Sequence, residues 1–388
     1  MALALEYSAA AQETYRFAQR DTCSLYLDIF RASEGSETTF LGKPKPAVMF
    51  VFGGGFVGGE RSGPFSVEWF KRLNNEGYTV VTIDYRLGMK GYDVGKGLVG
   101  AYKASSRFLL SQEVGVEDVF SAVSFLSENK DLGIDVNNLV ISGSSAGAII
   151  SVASEYAIAN GTAKGIPAGF NFKGVMSFAG AIISNSGAPK FKAAPCPMLF
   201  LHGTADKAVA YNKFGALGRG IWGSSYLAKQ FSSKGWTHCI YRFTGLGHVV
   251  AAYMNYLWPI EKEFLEQNVI LGVERSVDAN VDDPSLPTWG LGRRLYGADL
   301  QSVIEFVLPP AAIRGRDHKG HGLCVLWRHQ WVAVGFDAAL DSFGLKSYQG
   351  DAQYQEDCQR LFMYRRFSLF DPVFAQCINN ENKNALYY

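Results

Sequence analysis

The sequence predicts an α/β fold: a mostly parallel, twisted sheet with helices on both faces. Three observations predict it. Short apolar runs of strand length alternate with longer amphipathic stretches along residues 47–267. Several of those runs, such as AVMFVF at 47–52, have no polar side to turn to water, as strands covered on both faces require. Glycine follows several of the runs, which marks sharp exits from the sheet.

The elements follow in order. TYRFAQRDTCSLYLDIFR, 14–31, alternates apolar and polar residues about a polar centre and reads as an antiparallel hairpin. A turn at Gly42–Pro46 leads into the strand at 47–52. SVEWFKRLNNEG, 66–77, has helical spacing and a glycine stop, and YTVVTIDY, 78–85, is a second buried strand. VEDVFSAVSFLSENKDLG, 116–133, is an amphipathic helix; NLVISG, 138–143, is a strand and AGAIISVASEYAIAN, 146–160, a helix of small residues. FKGVMSFAG (172–180), CPMLFLHG (196–203) and THCIYRFTG (237–245) read as strands, with SSYLAKQFSSKG (224–235) a helix before the last. VVAAYMNYLWPIEKEFLEQ, 249–267, reads as a long helix kinked at Pro259. In such a sheet ligands bind at the carboxyl ends of the strands.

This assigns residues 12–270 to one main domain. Residues 271–300, which include the Pro-rich DDPSLPTWG at 282–290, read as a linker, and 301–388 as a C-terminal extension of unknown fold and role. Within the extension LCVLWRHQWVAVGF, 323–336, reads as a strand pair.

Composition narrows the function classes. The 388 residues are 48% hydrophobic and 19% charged, a globular balance. Lys plus Arg number 37 against 36 Asp plus Glu, so no basic excess points to nucleic acid or an anionic membrane. No apolar run reaches membrane-span length. The six cysteines are far apart with no CxxC pair, which speaks against a zinc or redox motif and for buried free thiols. His318 and His321, in RDHKGHG, are spaced like metal ligands but lack an acid cluster and read as an exposed loop, so neither metal nor cofactor is expected. The start, MALALEYSAAA, has the tail of a secretory signal without its basic head. A secreted or periplasmic location and a cytoplasmic one both stay open, as does the oligomeric state.

Gly143-Ser144-Ser145-Ala146-Gly147 fits G-x-S-x-G between a buried strand and a helix. That setting forces Ser145 into a tight turn, with glycines where a side chain would strike a neighbouring element. A serine hydroxyl needs a base to attack a carbonyl. Downstream, Asp206 follows the strand ending in LFLHG, and His248 follows the strand ending in FTG. Ser145, Asp206 and His248 thus fall at carboxyl ends of strands on one sheet edge, as nucleophile, orienting acid and general base. An oxyanion needs donors, and FVFGGGFVGG at 50–59 offers bare backbone after a strand: the N–H groups of Gly54, Gly55 and Ala146. Asp118 and Asp135 are rival acids placed less well. His202 reads as a packing residue, Asp84 and Arg86 as loop-fixing residues, Glu60 and Arg61 as a solvated loop tip, and Trp327 and Trp331 as core.

Residues 47–268 resemble the α/β-hydrolase family, in its carboxylesterase and hormone-sensitive-lipase-like branch. The matching pieces are FGGGF (52–56), DYRL (84–87), GSSAG (143–147), HGTAD (202–206) and GH (247–248). The resemblance implies the α/β-hydrolase fold and serine ester hydrolysis. One departure stands out: the family usually has HGGG, and here Phe52 replaces the histidine, so the glycine loop must find other support.

Only residues 87–115 separate the DYRL strand from the next expected helix, which implies a short lid and an open cleft suited to soluble or polymer-borne esters. With the similarity to bacterial acetyl and feruloyl esterases, this gives an expected substrate: short acyl or feruloyl groups on plant polysaccharides, or small-molecule esters. A serine peptidase of the same fold and a non-catalytic binding protein on it remain as alternatives.

Overall fold

The computed structural model describes residues 12–95 and 97–286, and the backbone of two further strands at 324–327 and 330–333. The chain divides into two compact units, Met1–Val303 and Ile304–Tyr388. In the second, β15 (Cys324–Trp327) and β16 (Gln330–Ala333) pair antiparallel, as LCVLWRHQWVAVGF suggested. The N-terminal segment 1–11, the stretch 287–300, His318 and His321 lie outside the described residues, as do the side chains of Trp327 and Trp331.

The first unit opens with β1 (Gln12–Gln19) and β2 (Ser24–Phe30), an antiparallel hairpin. Two-residue strands β3 (Thr39–Phe40) and β4 (Lys43–Pro44) flank the turn before β5 (Ala47–Val51). Then come β6 (Val80–Ile83), β7 (Leu139–Ser144), β8 (Gly174–Phe178) and β9 (Ala181–Ser184). They are followed by β10 (Met198–Gly203), β11 (Lys213–Ala216), β12 (Arg219–Gly223), β13 (His238–Phe243) and β14 (Val277–Val281). The main sheet has nine strands in the order β1-β2-β6-β5-β7-β8-β10-β13-β14. From β6 to β14 all neighbours are parallel. Its central strands are buried at every position but Ala47, which is why they read as apolar runs.

The connecting helices are α1 (Pro64–Asn75), α2 (Gly97–Glu128), α3 (Ala146–Ala159), α4 (Ser224–Lys234) and α5 (Trp258–Glu263). Alternation of β and α elements with right-handed crossovers is what a parallel sheet demands. The fold is the α/β-hydrolase fold expected from the motifs.

Four features differ from the sequence reading. Helix α2 begins at Gly97, not near residue 116, so most of the expected lid segment is helix. One of its glycines serves close approach: a Cβ on Gly115 would lie 2.5 Å from Ile150 Cδ1 of α3. Next, β9, β12 and β11 form a separate three-stranded antiparallel sheet. The Gln112 amide ties it to α2, donating to the Ile183 carbonyl at 3.1 Å and accepting the Ile183 N–H at 2.8 Å. Third, the long helix kinked at Pro259 is three pieces, the last a π-helical stretch over Phe264–Ile270. A 3-10 turn spans His248–Ala252, and α5 starts at Trp258 with Pro259 in its first turn, where the missing N–H costs no helical bond. Finally, β14 pairs with β13 inside the span read as linker, so the sheet runs past residue 270. VDANV alternates half-buried and exposed positions, as one-sided edge strands do.

Among the described residues Cys23, Cys196 and Cys239 are free thiols. No helix among them is long and apolar enough to cross a membrane, and no group of side chains there could hold a metal ion.

Candidate active site

The site is built on three strand ends. β7 ends in the turn carrying Ser145, which adopts φ +53°, ψ −116° and then starts α3. Ser145 N–H donates to the Phe178 carbonyl of β8 at 2.9 Å, and Ile149 N–H donates to the Ser145 carbonyl at 2.9 Å. The turn is thus pinned on both sides. Its flanking glycines allow the packing. A Cβ on Gly143 would lie 2.4 Å from the Gly147 carbonyl, and one on Gly147 would lie 2.0 Å from the Val51 carbonyl oxygen of β5. Neither backbone can retreat, so only glycine fits.

β10 ends at Gly203, whose α-carbon abuts the loop before His248: a Cβ there would lie 2.3 Å from the Leu246 carbonyl oxygen. Ala205 N–H donates to that same oxygen at 2.9 Å. This stitches the Asp206 loop to the His248 loop. Ser145 Oγ lies 2.8 Å from His248 Nε2, and His248 Nδ1 lies 2.7 Å from Asp206 Oδ2. With Nδ1–H donating to the carboxylate, Nε2 is the bare nitrogen that accepts the serine hydroxyl proton. The structure therefore brings together the three residues singled out in the sequence.

Asp206 is buried, and all its oxygens are engaged. The N–H groups of Ala208 and Val209 donate to Oδ1 at 2.8 and 3.0 Å. Oδ2 faces His248 and also His202 Nε2, at 3.2 Å. Burial alone would raise this carboxyl; the His248 charge and the imidazole donors outweigh it and hold it well below the usual carboxylate range. It stays ionised wherever a neutral His248 is useful as a base.

The rival acids are occupied elsewhere. Asp118, buried, accepts from Arg20 at 3.0 Å and from Arg86 at 2.9 Å. Asp135 caps a 3-10 turn by accepting the Asn137 N–H. Arg61 is not a free loop tip: it donates to Asp28 at 2.8 Å and Asp84 at 2.9 Å.

The glycine loop follows β5. Gly54 and Gly55 have φ +117° and +62°, and a Cβ on Gly54 would lie 2.1 Å from the Gly58 carbonyl oxygen. Among the described residues no backbone group accepts the N–H of Gly54, Gly55 or Ala146. Phe52 supports the loop. Its ring packs on Tyr85 with centroids 4.5 Å apart, and Gly59 comes so close that a Cβ would lie 2.6 Å from Phe52 Cδ2. Aromatic packing stands where the resembling family uses histidine.

Residues 6–170, the span from the first hairpin through the serine turn and α3, match the model of the carboxylesterase family. The chain is a carboxylic ester hydrolase. A comparison with curated proteins returns no match. Solved structures similar to this hydrolase include Thermogutta terrifontis esterase 2 phosphorylated by paraoxon, 18% identical, with a TM-score of 0.46 over 66% of this chain and 95% of that one. The propionate-bound form of the same bacterial esterase is 18% identical, with a TM-score of 0.47 over 67% of this chain and 95% of that one.

Reading the hydrolase sequence as motifs missed His202. It was taken for packing, yet its ring nitrogen reaches Asp206. The signal was present in the i, i+4 spacing of His202 and Asp206 across a strand end.

Proposed function

We propose that this hydrolase cleaves esters through an acyl-enzyme on Ser145, with His248 as general base and then acid, and Asp206 as its orienting carboxylate. The observation that carries the reading is the unbroken chain from Ser145 Oγ to His248 Nε2, 2.8 Å, and from His248 Nδ1 to Asp206 Oδ2, 2.7 Å.

The steps follow from those atoms. Ser145 Oγ attacks the substrate carbonyl carbon as its proton passes to His248 Nε2. Asp206 stabilises the imidazolium without taking the proton. Negative charge gathers on the former carbonyl oxygen, against the N–H groups of Gly54, Gly55 and Ala146. The intermediate collapses, the alcohol leaves with the proton from Nε2, and water repeats the sequence to free the acid. The positive end of α3 adds to the field at the oxyanion.

For substrate, we propose short acyl or feruloyl esters, borne by plant polysaccharides or by small molecules. The short connection from β6 to α2 supports an open approach, and the resemblance to acetyl and feruloyl esterases supports the acyl class. Initial rates on aryl acetate, butyrate and octanoate, methyl ferulate and acetylated xylan test this, with Ser145→Ala as blank. Fast acetate with ferulate or xylan turnover is expected, and none above background from the blank. A preference for octanoate would overturn the substrate class, and retained turnover in folded Ser145→Ala would overturn the mechanism.

A further inference from the structure

His202 sits on β10, fully buried, one residue before the strand's last glycine. A buried imidazole must satisfy both nitrogens. Nε2 has two acceptors within reach, Asp206 Oδ2 at 3.2 Å and the Val209 carbonyl oxygen at 3.2 Å. Two acceptors and no donor require a proton on Nε2. Nδ1 lies 2.8 Å from Ser224 Oγ, the first residue of α4, and that hydroxyl donates to the Gly180 carbonyl oxygen after β8 at 3.2 Å. The Tyr211 ring packs edge-on against the imidazole, centroids 5.6 Å apart.

Asp206 Oδ2 therefore stands between two imidazoles, with its other oxygen held by two backbone N–H groups. Backbone donors fix Oδ1 only. A carboxylate held at one oxygen can still swing about that anchor, and the swing would carry Oδ2 away from His248. His202 closes this freedom with a second contact to Oδ2.

We propose that His202 is a positioning residue for the reaction: its Nε2–H locks Asp206 Oδ2 in line with His248 Nδ1. This deepens the triad reading and rests on it. His202 touches neither substrate nor reacting atoms, and acts through Asp206. A displacement near 1 Å in such a chain costs on the order of a hundredfold in rate.

Two measurements test it. The first needs no activity. Long-range ¹H–¹⁵N imidazole spectra of the wild-type protein, with the His202 signals assigned by their loss in His202→Gln, are expected to show His202 carrying its proton on Nε2. A His202 protonated on Nδ1 alone would overturn the proposal. The second is kinetic. His202→Leu fills the space without a donor, and His202→Gln places an amide N–H near the Nε2 position. For His202→Leu, kcat is expected to fall about 10- to 100-fold with KM within about threefold, and His202→Gln to recover most of that loss. Equal kcat for folded His202→Leu and wild type, or a Gln variant no better than the Leu one, would overturn it. Retained turnover in Ser145→Ala would instead sink the triad, and would leave the His202 tautomer measurement standing.

Discussion

Gly147 lies so close to Val51 that a Cβ on it would sit 2.0 Å from the Val51 carbonyl oxygen. The contact joins the first turn of α3 to the end of β5, the strand from which the glycine loop springs. It sets the distance between the Ser145 hydroxyl and the N–H donors of Gly54 and Gly55. A methyl group there meets backbone on a central buried strand, which cannot yield cheaply. Gly147→Ala is expected to lose about 3 kcal/mol or more in urea unfolding, and most activity. A stable, active variant would mean that β5 and α3 can separate without disturbing the site.

Ser145 itself holds a conformation ordinary residues avoid, φ +53° with ψ −116°. Such a residue costs the fold on the order of 1–3 kcal/mol. Ser145→Gly relieves the strain and Ser145→Ala does not. The glycine variant is expected to melt higher than the alanine one, by an amount equivalent to about 1 kcal/mol, while both lack turnover. Equal melting temperatures would show that the turn is not strained in solution.

Phe52 packs against both Tyr85 and Gly59 of the glycine loop. Phe52→Ala removes this packing while every donor and triad atom remains. A loosened loop would blur the proposed oxyanion donors, so kcat is expected to fall roughly tenfold to hundredfold with little change in KM. Stability should drop too, by about 3 kcal/mol for a buried Phe. Lost stability with unchanged kcat would place the loop's support elsewhere.

The strand ends that carry Ser145, Asp206 and His248 were legible because β7 and β10 are buried at every position and β13 over its first half. The turn around Ser145 was legible because close approach excludes everything but glycine at 143 and 147. The first half of α2 was not, because Gly97, Gly100 and Gly115 look like breakers until Ile150 is seen against Gly115. The sheet of β9, β11 and β12 was hidden by its shortness and by the exposed KFGALGR stretch within it. β14 was hidden because an edge strand with one wet side looks like a loop when Asp278 and Asn280 interrupt it. His202 was hidden because a histidine in an apolar run looks like packing. Only the fold shows its ring reaching Asp206.

Glu155 gives the fold a pH dependence separate from the site. It is buried on α3, accepts the Cys196 N–H at 2.9 Å through Oε1, and has no partner for Oε2 among the described residues. Burial outweighs that hydrogen bond and pushes its carboxyl up from 4.5 to about 7. The native state therefore keeps a proton that the unfolded chain releases above its ordinary carboxyl range. Stability from this group is whole below about pH 4.5, declines as pH rises toward about 7, and is flat above that. The full loss is on the order of 3 kcal/mol. Glu155→Gln keeps the acceptor for Cys196 and cannot ionise. Urea unfolding across this window is expected to show the wild type losing stability relative to the variant as pH rises, with the two close at the acid end. Parallel profiles would mean that water reaches the carboxylate and hydrates it in place.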